Sequence, residues 1–308
     1  MRPFTNVLAY TPEGAGNAAV QAAARLTVAT NAELTLTDVI EDMPAAARRY
    51  VPRGWDIPKL VRAEKQAHLE RTAARVCRLG VEPEIVMLSG SPVKALVREV
   101  ARSRHDLLAA DASDSGRRES IGTTALGLVR ECPCPVLLAR PSHRRRRPRV
   151  LVAVNAAPLG MKGADMVNRT LLETALWFAE CQGGELHVLH VWSPYGERAM
   201  LRGGLNPTEM HQFVAGMREQ ARHDLEPSLA PFREHISRGH IHFQKGDPRK
   251  AIARFAIAHR IDLLVIGTAG RKGLMARVIG NTAEAVLARI PCSMLVVRPT
   301  SVAGSRRG

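Results

Sequence analysis

Three glycines, Gly267, Gly270 and Gly280, punctuate the stretch DLLVIGTAGRKGLMARVIGNTAEAVLARIPCSMLVVRP between Asp262 and Pro299. Their spacing suits an anion cradle. Glycine accepts φ > 0 and lets the backbone approach a bound group closely. A helix is expected to start near Asn281, and the unpaired amides and dipole of a helix N-terminus favour negative charge. Arg271 and Lys272 lie inside the loop and can add charge-assisted bonds to the same anion. Other chemistry-bearing residues read less sharply. Cys132-Pro133-Cys134 lacks the C-x-x-C spacing of zinc and redox pairs, so burial at a helix-to-strand junction is expected. His187 and His190 are three apart on an expected strand, which puts them on opposite faces. His240 and His242 share a face, but no carboxylate or third ligand stands near them in the chain, and no metal is expected there. Nor does any general base or nucleophile stand at catalytic spacing near the loop. G-x4-G-K-(S/T), G-x-G-x-x-G after the first strand, and S-G-G-x-D-S are absent.

The elements that position the glycine loop follow from apolar patterning. In the first half, strands are expected over 6–10, 33–40, 82–88, 107–110 and 136–139. Helices are expected over 16–29, 59–79, 92–103 and 120–131. Gly80 stops the long amphipathic helix, and a loop with three prolines spans 41–58. The second half repeats this order. Its strands are expected over 150–154, 185–191, 241–244, 263–266 and 293–297. Its helices are expected over 168–181, 208–225, 249–259 and from Asn281 to before Pro291, with a loop over 193–207. Strands alternating with helices mean an α/β fold with a parallel sheet and helices on both faces.

The repeat shows in residues as well. Gly90-Ser91-Pro92 matches Gly246-Asp247-Pro248, and Asp106-Leu107-Leu108 matches Asp262-Leu263-Leu264, both at an offset of 156. Ile121–Pro141 aligns with Ile279–Pro299 at an offset of 158, with nine of 21 positions identical. The first half has therefore lost two residues inside its loop. Asp111 stands in the place of Gly267 there, and Asp111 with Asp114 would repel a phosphate. Thr11 is read as the counterpart of Asn155. Asp38, Asp106 and Asp262 read as structural, the last two ending the preceding helix-loop. The expected division is a first domain over 1–142, an Arg-rich linker over 143–149 and a second domain over 150–308.

At 308 residues the chain has room for two such domains. The five cysteines are odd in number and scattered, which argues against a disulfide framework. No apolar run reaches membrane-spanning length and the N-terminal stretch has no signal-like core, so a cytoplasmic protein is expected. Net charge is +15, shared by the halves: 24 Lys and Arg against 16 Asp and Glu in residues 1–149, and 20 against 13 after them. Arg144–Arg147 with Arg149 is the densest cluster, and a solvated linker accounts for it better than a polyanion site. Aromatics at 4% supply few stacking platforms, which disfavours specific nucleic-acid binding.

Taken together, the two halves resemble a tandem universal stress protein. The family's loop pattern G-x2-G-x9-G-(S/T) reads here Gly267-Thr268-Ala269-Gly270, nine residues, Gly280, Asn281. The endings PCPVLLARP and PCSMLVVRP are also similar to the family's. GTAGRKGLMARVIGNTAEAVL and VLVAVNAAP are similar to its E-type tandem members. The resemblance implies two five-stranded sheets of order 3-2-1-4-5, paired within the chain, with a homodimer of chains left open. It also implies a non-enzymatic stress-response regulator or sensor that binds ATP or ADP through its second domain, with no metal beyond a magnesium ion accompanying the nucleotide. The implied phosphate set is Gly267, Thr268, Gly270, Arg271, Gly280, Asn281 and Thr282. Ala153, Val154 and Asn155 end the first strand of that half, where open parallel sheets bind ligands, and Val191 would face the adenine. Two positions depart from the family: Asn281 stands for Ser or Thr, and Asn155 for Asp. Both asparagines also have a structural reading, Asn281 as a helix cap and Asn155 as a loop-ordering residue. An alternative is a module that binds a small ligand or a lipid-like molecule, without nucleotide, in the cleft between the two domains, between their sheets and the loops 43–58 and 193–207.

Overall fold

The computed structural model describes residues 4–14, 16–113, 121–141, 147–155, 162–268 and 280–298. The first half contains β1 (Asn6–Tyr10), α1 (Ala18–Thr30), β2 (Glu33–Ile40), α2 (Ala45–Arg48), α3 (Ile57–Cys77), β3 (Glu84–Ser89), α4 (Pro92–Arg102), β4 (Leu107–Asp111), α5 (Thr123–Glu131) and β5 (Val136–Ala139). The second contains β6 (Arg149–Val154), α6 (Lys162–Cys181), β7 (Glu185–Trp192), α7 (Glu197–Arg202), α8 (Pro207–Leu229), β8 (Ile241–Lys245), α9 (Pro248–Ala258), β9 (Leu263–Gly267), α10 (Asn281–Leu287) and β10 (Ser293–Val297).

Each half has the expected parallel order, but the halves do not stand as separate sheets. They join edge to edge in one ten-stranded sheet, β3-β2-β1-β4-β5-β10-β9-β6-β7-β8. The seam is antiparallel, with Val136 opposite Val296, Leu137 opposite Leu295 and Leu138 opposite Met294. Both seam strands are apolar on both faces, and each would otherwise be an unpaired edge; pairing removes that liability. Across the seam, Arg298 Nη2 donates to the Val129 carbonyl at 2.8 Å, Arg140 N donates to Ser293 Oγ at 3.1 Å, and Arg130 meets Glu284. Phe4 of the first half stacks edge-on against Trp177 of α6 at 5.3 Å. The core is continuous on both faces. One layer packs α1, α3, α6 and α8 on the sheet, the other α4, α5, α9 and α10, and each draws buried residues from both halves.

An antiparallel seam reverses one half relative to the other. The carboxyl ends of β1–β5 and of β6–β10 therefore open on opposite edges of the sheet. The halves form one sheet rather than two, and among the described residues the chains leaving β2 and β7 depart from its opposite edges, so the cleft between two sheets that a shared ligand would need is not formed.

Local differences from the sequence pattern have simple causes. Arg149, read as linker, opens β6, its backbone paired with Glu185 and its Nη1 donating to the His259 carbonyl at 2.9 Å. Both inter-element loops contain a short helix, α2 and α7, too brief to show a period. α8 runs on through Pro227 before a 3-10 turn over Ala230–Phe232. Asn206 starts α8 with a capping box: its side chain accepts from Glu209 N while Glu209 reaches back to Asn206 N. Asp106 and Asp262 are not helix terminators. Asp106 accepts from Thr5 N (2.7 Å) and Asn6 N (3.1 Å), and Asp262 from Arg149 N (2.9 Å). Each ties the start of the fourth strand of its half to the start of the first. Gly90 and Gly246, both at positive φ, make the same turn after β3 and β8, each donating its N–H to the end of the second strand.

Candidate functional site

In the second half, β6 is flanked by β7 on one side and β9 on the other. The chain leaves β6 toward β7 and β8 but leaves β9 toward β10, so the carboxyl ends of β6 and β9 form a topological switch point. Ligands bind at such points in open α/β sheets. Gly267 is the last residue of β9, and Thr268 follows it, nearly buried, its N–H donating to the Val297 carbonyl at 3.1 Å. Gly280 N donates back to the Thr268 carbonyl at 3.2 Å. The two ends of the glycine loop are thus clasped at the edge of the sheet, directly before α10. Gly270 and Arg271 lie outside the described residues.

Gly267 has a packing duty: a Cβ there would meet Leu171 Cδ1 at 3.3 Å and Val167 Cγ1 at 3.7 Å. Gly280 occupies the N-cap of α10 in extended conformation, and Asn281 is the first helical residue. Asn281 is therefore not the cap; Gly122 and Thr123 take the same two places before α5. Thr282 is half-buried in the first turn of α10.

At the end of β6, Val154 is buried, Ala153 half-buried and the Asn155 side chain exposed. Asn168 of α6, itself buried, clamps the Asn155 backbone: its Oδ1 accepts from Asn155 N at 3.2 Å and its Nδ2 donates to the Asn155 carbonyl at 2.8 Å. Asn168 Nδ2 also reaches Ser228 Oγ, which donates to Asp165 Oδ1 at 3.2 Å. Asn168 thus holds the Asn155 main chain, which leaves the Asn155 side chain exposed beside the switch point. Sequence reasoning missed Asn168. Its signal is a polar residue three, four and seven positions before Leu171, Leu172 and Ala175, on the apolar stripe of α6. Val191 is buried on β7 on the α9 side, next to Trp192, whose carbonyl accepts from Gly246 N at 2.9 Å.

In the first half the corresponding edge is filled. Asp111 ends β4 where Gly267 ends β9, and its Oδ1 accepts from Ala19 N at 2.8 Å, at the start of α1. A side chain of this chain thus holds helix amides of the kind an anion would seek. Burial pushes the Asp111 carboxyl up to about 6, against the opposing pull of the Ala19 and Ala18 amides. Sheet register also corrects a pairing. Val7 lies beside Leu107 as Val150 lies beside Leu263, so the counterpart of Asn155 is Pro12, not Thr11. Thr11 is the counterpart of Val154 and is buried, its hydroxyl 3.4 Å from His68 Nε2. Pro12, Tyr10, Asp111 and Thr124 line only a small depression.

Cys132 and Cys134 are both buried, with Sγ atoms 3.5 Å apart at the junction of α5 and β5, and all five cysteines are free thiols. Among the described residues no helix is long and apolar enough to cross a membrane.

Known proteins agree with this architecture. The model described as "Universal stress protein family" matches residues 4–140 and 149–298. The chain is 26% identical over 264 residues to the universal stress protein E homolog of Haemophilus influenzae, covering 80% of this chain and 83% of that one. It is 27% identical over 242 residues to universal stress protein E of Escherichia coli K12, covering 77% and 75%. Among solved structures, a putative universal stress protein of Pseudomonas aeruginosa superposes with a TM-score of 0.71 at 19% identity, covering 96% of this chain and 93% of that one. One from Archaeoglobus fulgidus superposes at 0.63 and 20% identity, covering 95% and 98%.

Proposed function

Because the chain belongs to the universal stress protein family, we propose that its second half binds ATP or ADP, and that occupancy regulates its contacts with partner proteins in the cytoplasm without chemistry on the nucleotide. The observation that carries this reading is the clasp of Thr268 to Gly280 at the β6–β9 switch point, with the exposed amide of Asn155 beside it. The residues fit such a ligand. Gly267 leaves room for Leu171 and Val167 of α6, and the start of α10 presents main-chain amides just after Gly280. Asn155 offers the base or sugar both a donor and an acceptor. Thr268, Gly270, Arg271, Gly280, Asn281 and Thr282 would hold the phosphates, with a magnesium ion as their counter-charge, and Ala153, Val154 and Val191 would form the wall at the strand ends.

The reading assigns one site per chain, because the first half has Asp111 in the place of Gly267. Isothermal titration of the full chain with ATP and ADP in the presence of magnesium is expected to show one nucleotide per chain. Arg271→Ala is expected to weaken binding about tenfold, the worth of one charge-assisted contact. No heat at millimolar nucleotide, or two equivalent sites, would refute it.

A further inference from the structure

The amino edge of the second half's sheet, opposite the glycine loop, holds a cluster that chain spacing does not reveal. Glu185 opens β7 and His187 follows two residues later on the same face, toward α9. Register places Ile241 beside Val188, which brings His240, just before β8, against His187. The two rings lie 4.1 Å apart, centroid to centroid. His190, on the other face, is not part of the group and lies near the Val154 carbonyl instead. His240 and His242 thus gain from the fold the carboxylate and the third imidazole that the sequence does not place near them.

One ligand atom from each of Glu185, His187 and His240 lies within 4.8 Å of the other two. The geometry points to a transition-metal site, which we assign to zinc, with these three residues as ligands and His242 as the group that orients His187. Imidazole and carboxylate together suit this ion, and three protein ligands leave a fourth position for water or an exogenous group.

Two further observations support a cation. His187 is 6% exposed, yet its Nε2 has no hydrogen-bond partner. Glu185 Oε2 stands 3.9 Å from that nitrogen, too far for a hydrogen bond and suited to an ion between them. On the other side of the ring, His187 Nδ1 lies 3.3 Å from His242 Nε2. When Nδ1 carries the proton and donates it to His242, the Nε2 lone pair faces Glu185. That is the arrangement by which a second residue fixes a metal-binding imidazole. His242 is itself packed against Phe255 and His259 of the α9 segment, which holds its plane. Arg149 is the competing cation: its Nε stands 3.7 Å from Glu185 Oε2, while its Nη1 is anchored on the His259 carbonyl.

Zinc–ligand bonds of about 2.0–2.2 Å place tetrahedral ligand atoms about 3.4 Å apart. The three atoms must therefore draw together on binding. Glu185 and His240 are partly exposed and free to do so, while His187 is held.

The test uses the full chain, stripped with a chelating resin and titrated with zinc chloride against a chromophoric chelator. Wild type is expected to take up one zinc ion per chain, and Glu185→Gln and His240→Ala each to weaken uptake at least tenfold. His242→Phe keeps the packing on Phe255 and is expected to weaken it about tenfold through the lost orientation of His187. Long-range proton–nitrogen NMR of the histidine rings is expected to show zinc moving His187 Nε2 while Nδ1 keeps its proton. No uptake at millimolar zinc overturns the assignment, as does uptake that Glu185→Gln and His240→Ala leave unchanged. All three variants alter residues at or near the surface or conserve packing, so unchanged urea midpoints in metal-free buffer are expected and separate lost ligation from lost folding.

Discussion

Lys65→Met is expected to destabilise the protein by about 3–5 kcal/mol, the cost of leaving a buried charge without its partner. Asp38 sits in β2 with no solvent exposure, and Lys65 reaches it from α3 with Nζ 3.0 and 2.9 Å from the two carboxylate oxygens. One oxygen also accepts from Val39 N at 2.6 Å, so this carboxylate is held from strand and helix together. Lys65 is the cheaper partner to keep in the fold, since its side chain retains 20% exposure and the ammonium stays partly wet. Removing the lysine leaves the Asp38 carboxylate buried under α3 without its partner, which costs stability. The double variant Asp38→Leu with Lys65→Met is the control. A buried pair replaced by apolar side chains of similar volume is often neutral or better. The double variant is therefore expected to recover most of the loss, with a coupling of several kcal/mol between the two sites. Urea unfolding of the four proteins measures it. Additive losses would show that the pair does not act as a unit.

That pair illustrates what the sequence made legible. Asp38 is a charged residue on the face of β2 that Leu34, Leu36 and Ile40 otherwise make apolar, which already marks it as structural, but its partner lies 27 residues away on a helix whose apolar stripe is weak. Strand runs such as Leu263–Ile266 and the matched turns Gly90-Ser91-Pro92 and Gly246-Asp247-Pro248 carry their structure locally, so the α/β order and the duplication could be read directly. The strand order within each half came from family resemblance, and the sheet confirms it. The seam between β5 and β10 was hidden for a physical reason. Both strands are buried on both faces, and such strands carry no alternation to say what lies beside them. The site divides in the same way. The glycine spacing of the loop is local and was read, whereas Asn168 acts on Asn155 through the packing of α6 on β6. The Glu185–His187–His240 cluster exists only because β8 pairs with β7 in one register; a shift by one residue would turn His242 to the opposite face.

Asp111→Asn is expected to stabilise the protein by about 2 kcal/mol at pH 7, and the gain is expected to vanish in acid. The folded carboxyl titrates near 6 against an ordinary value of 3.8, raised by burial at the end of β4. Between these values the folded state binds more protons than the unfolded chain, so the contribution of this group to stability falls as pH rises through the interval. Below pH 4 both states hold the proton and there is no cost. Above pH 6 the fold carries a buried carboxylate, at a cost of about 3 kcal/mol for a shift of this size. Asparagine keeps an oxygen to accept from Ala19 N but puts its NH2 where Asp111 Oδ2 is buried without a hydrogen-bond partner, at a cost of about 1 kcal/mol. The difference leaves a net gain of about 2 kcal/mol. Urea midpoints of wild type and variant are expected to separate between pH 4 and pH 6 and to run parallel above it; a gap that does not change with pH would show that the carboxyl is not the source. Tolerance of so costly a charge fits the division of labour between the halves. Asp111 occupies the helix amides of the first half with a fixed internal anion, while Gly267, at the equivalent place in the second, brings no charge to its own edge of the sheet.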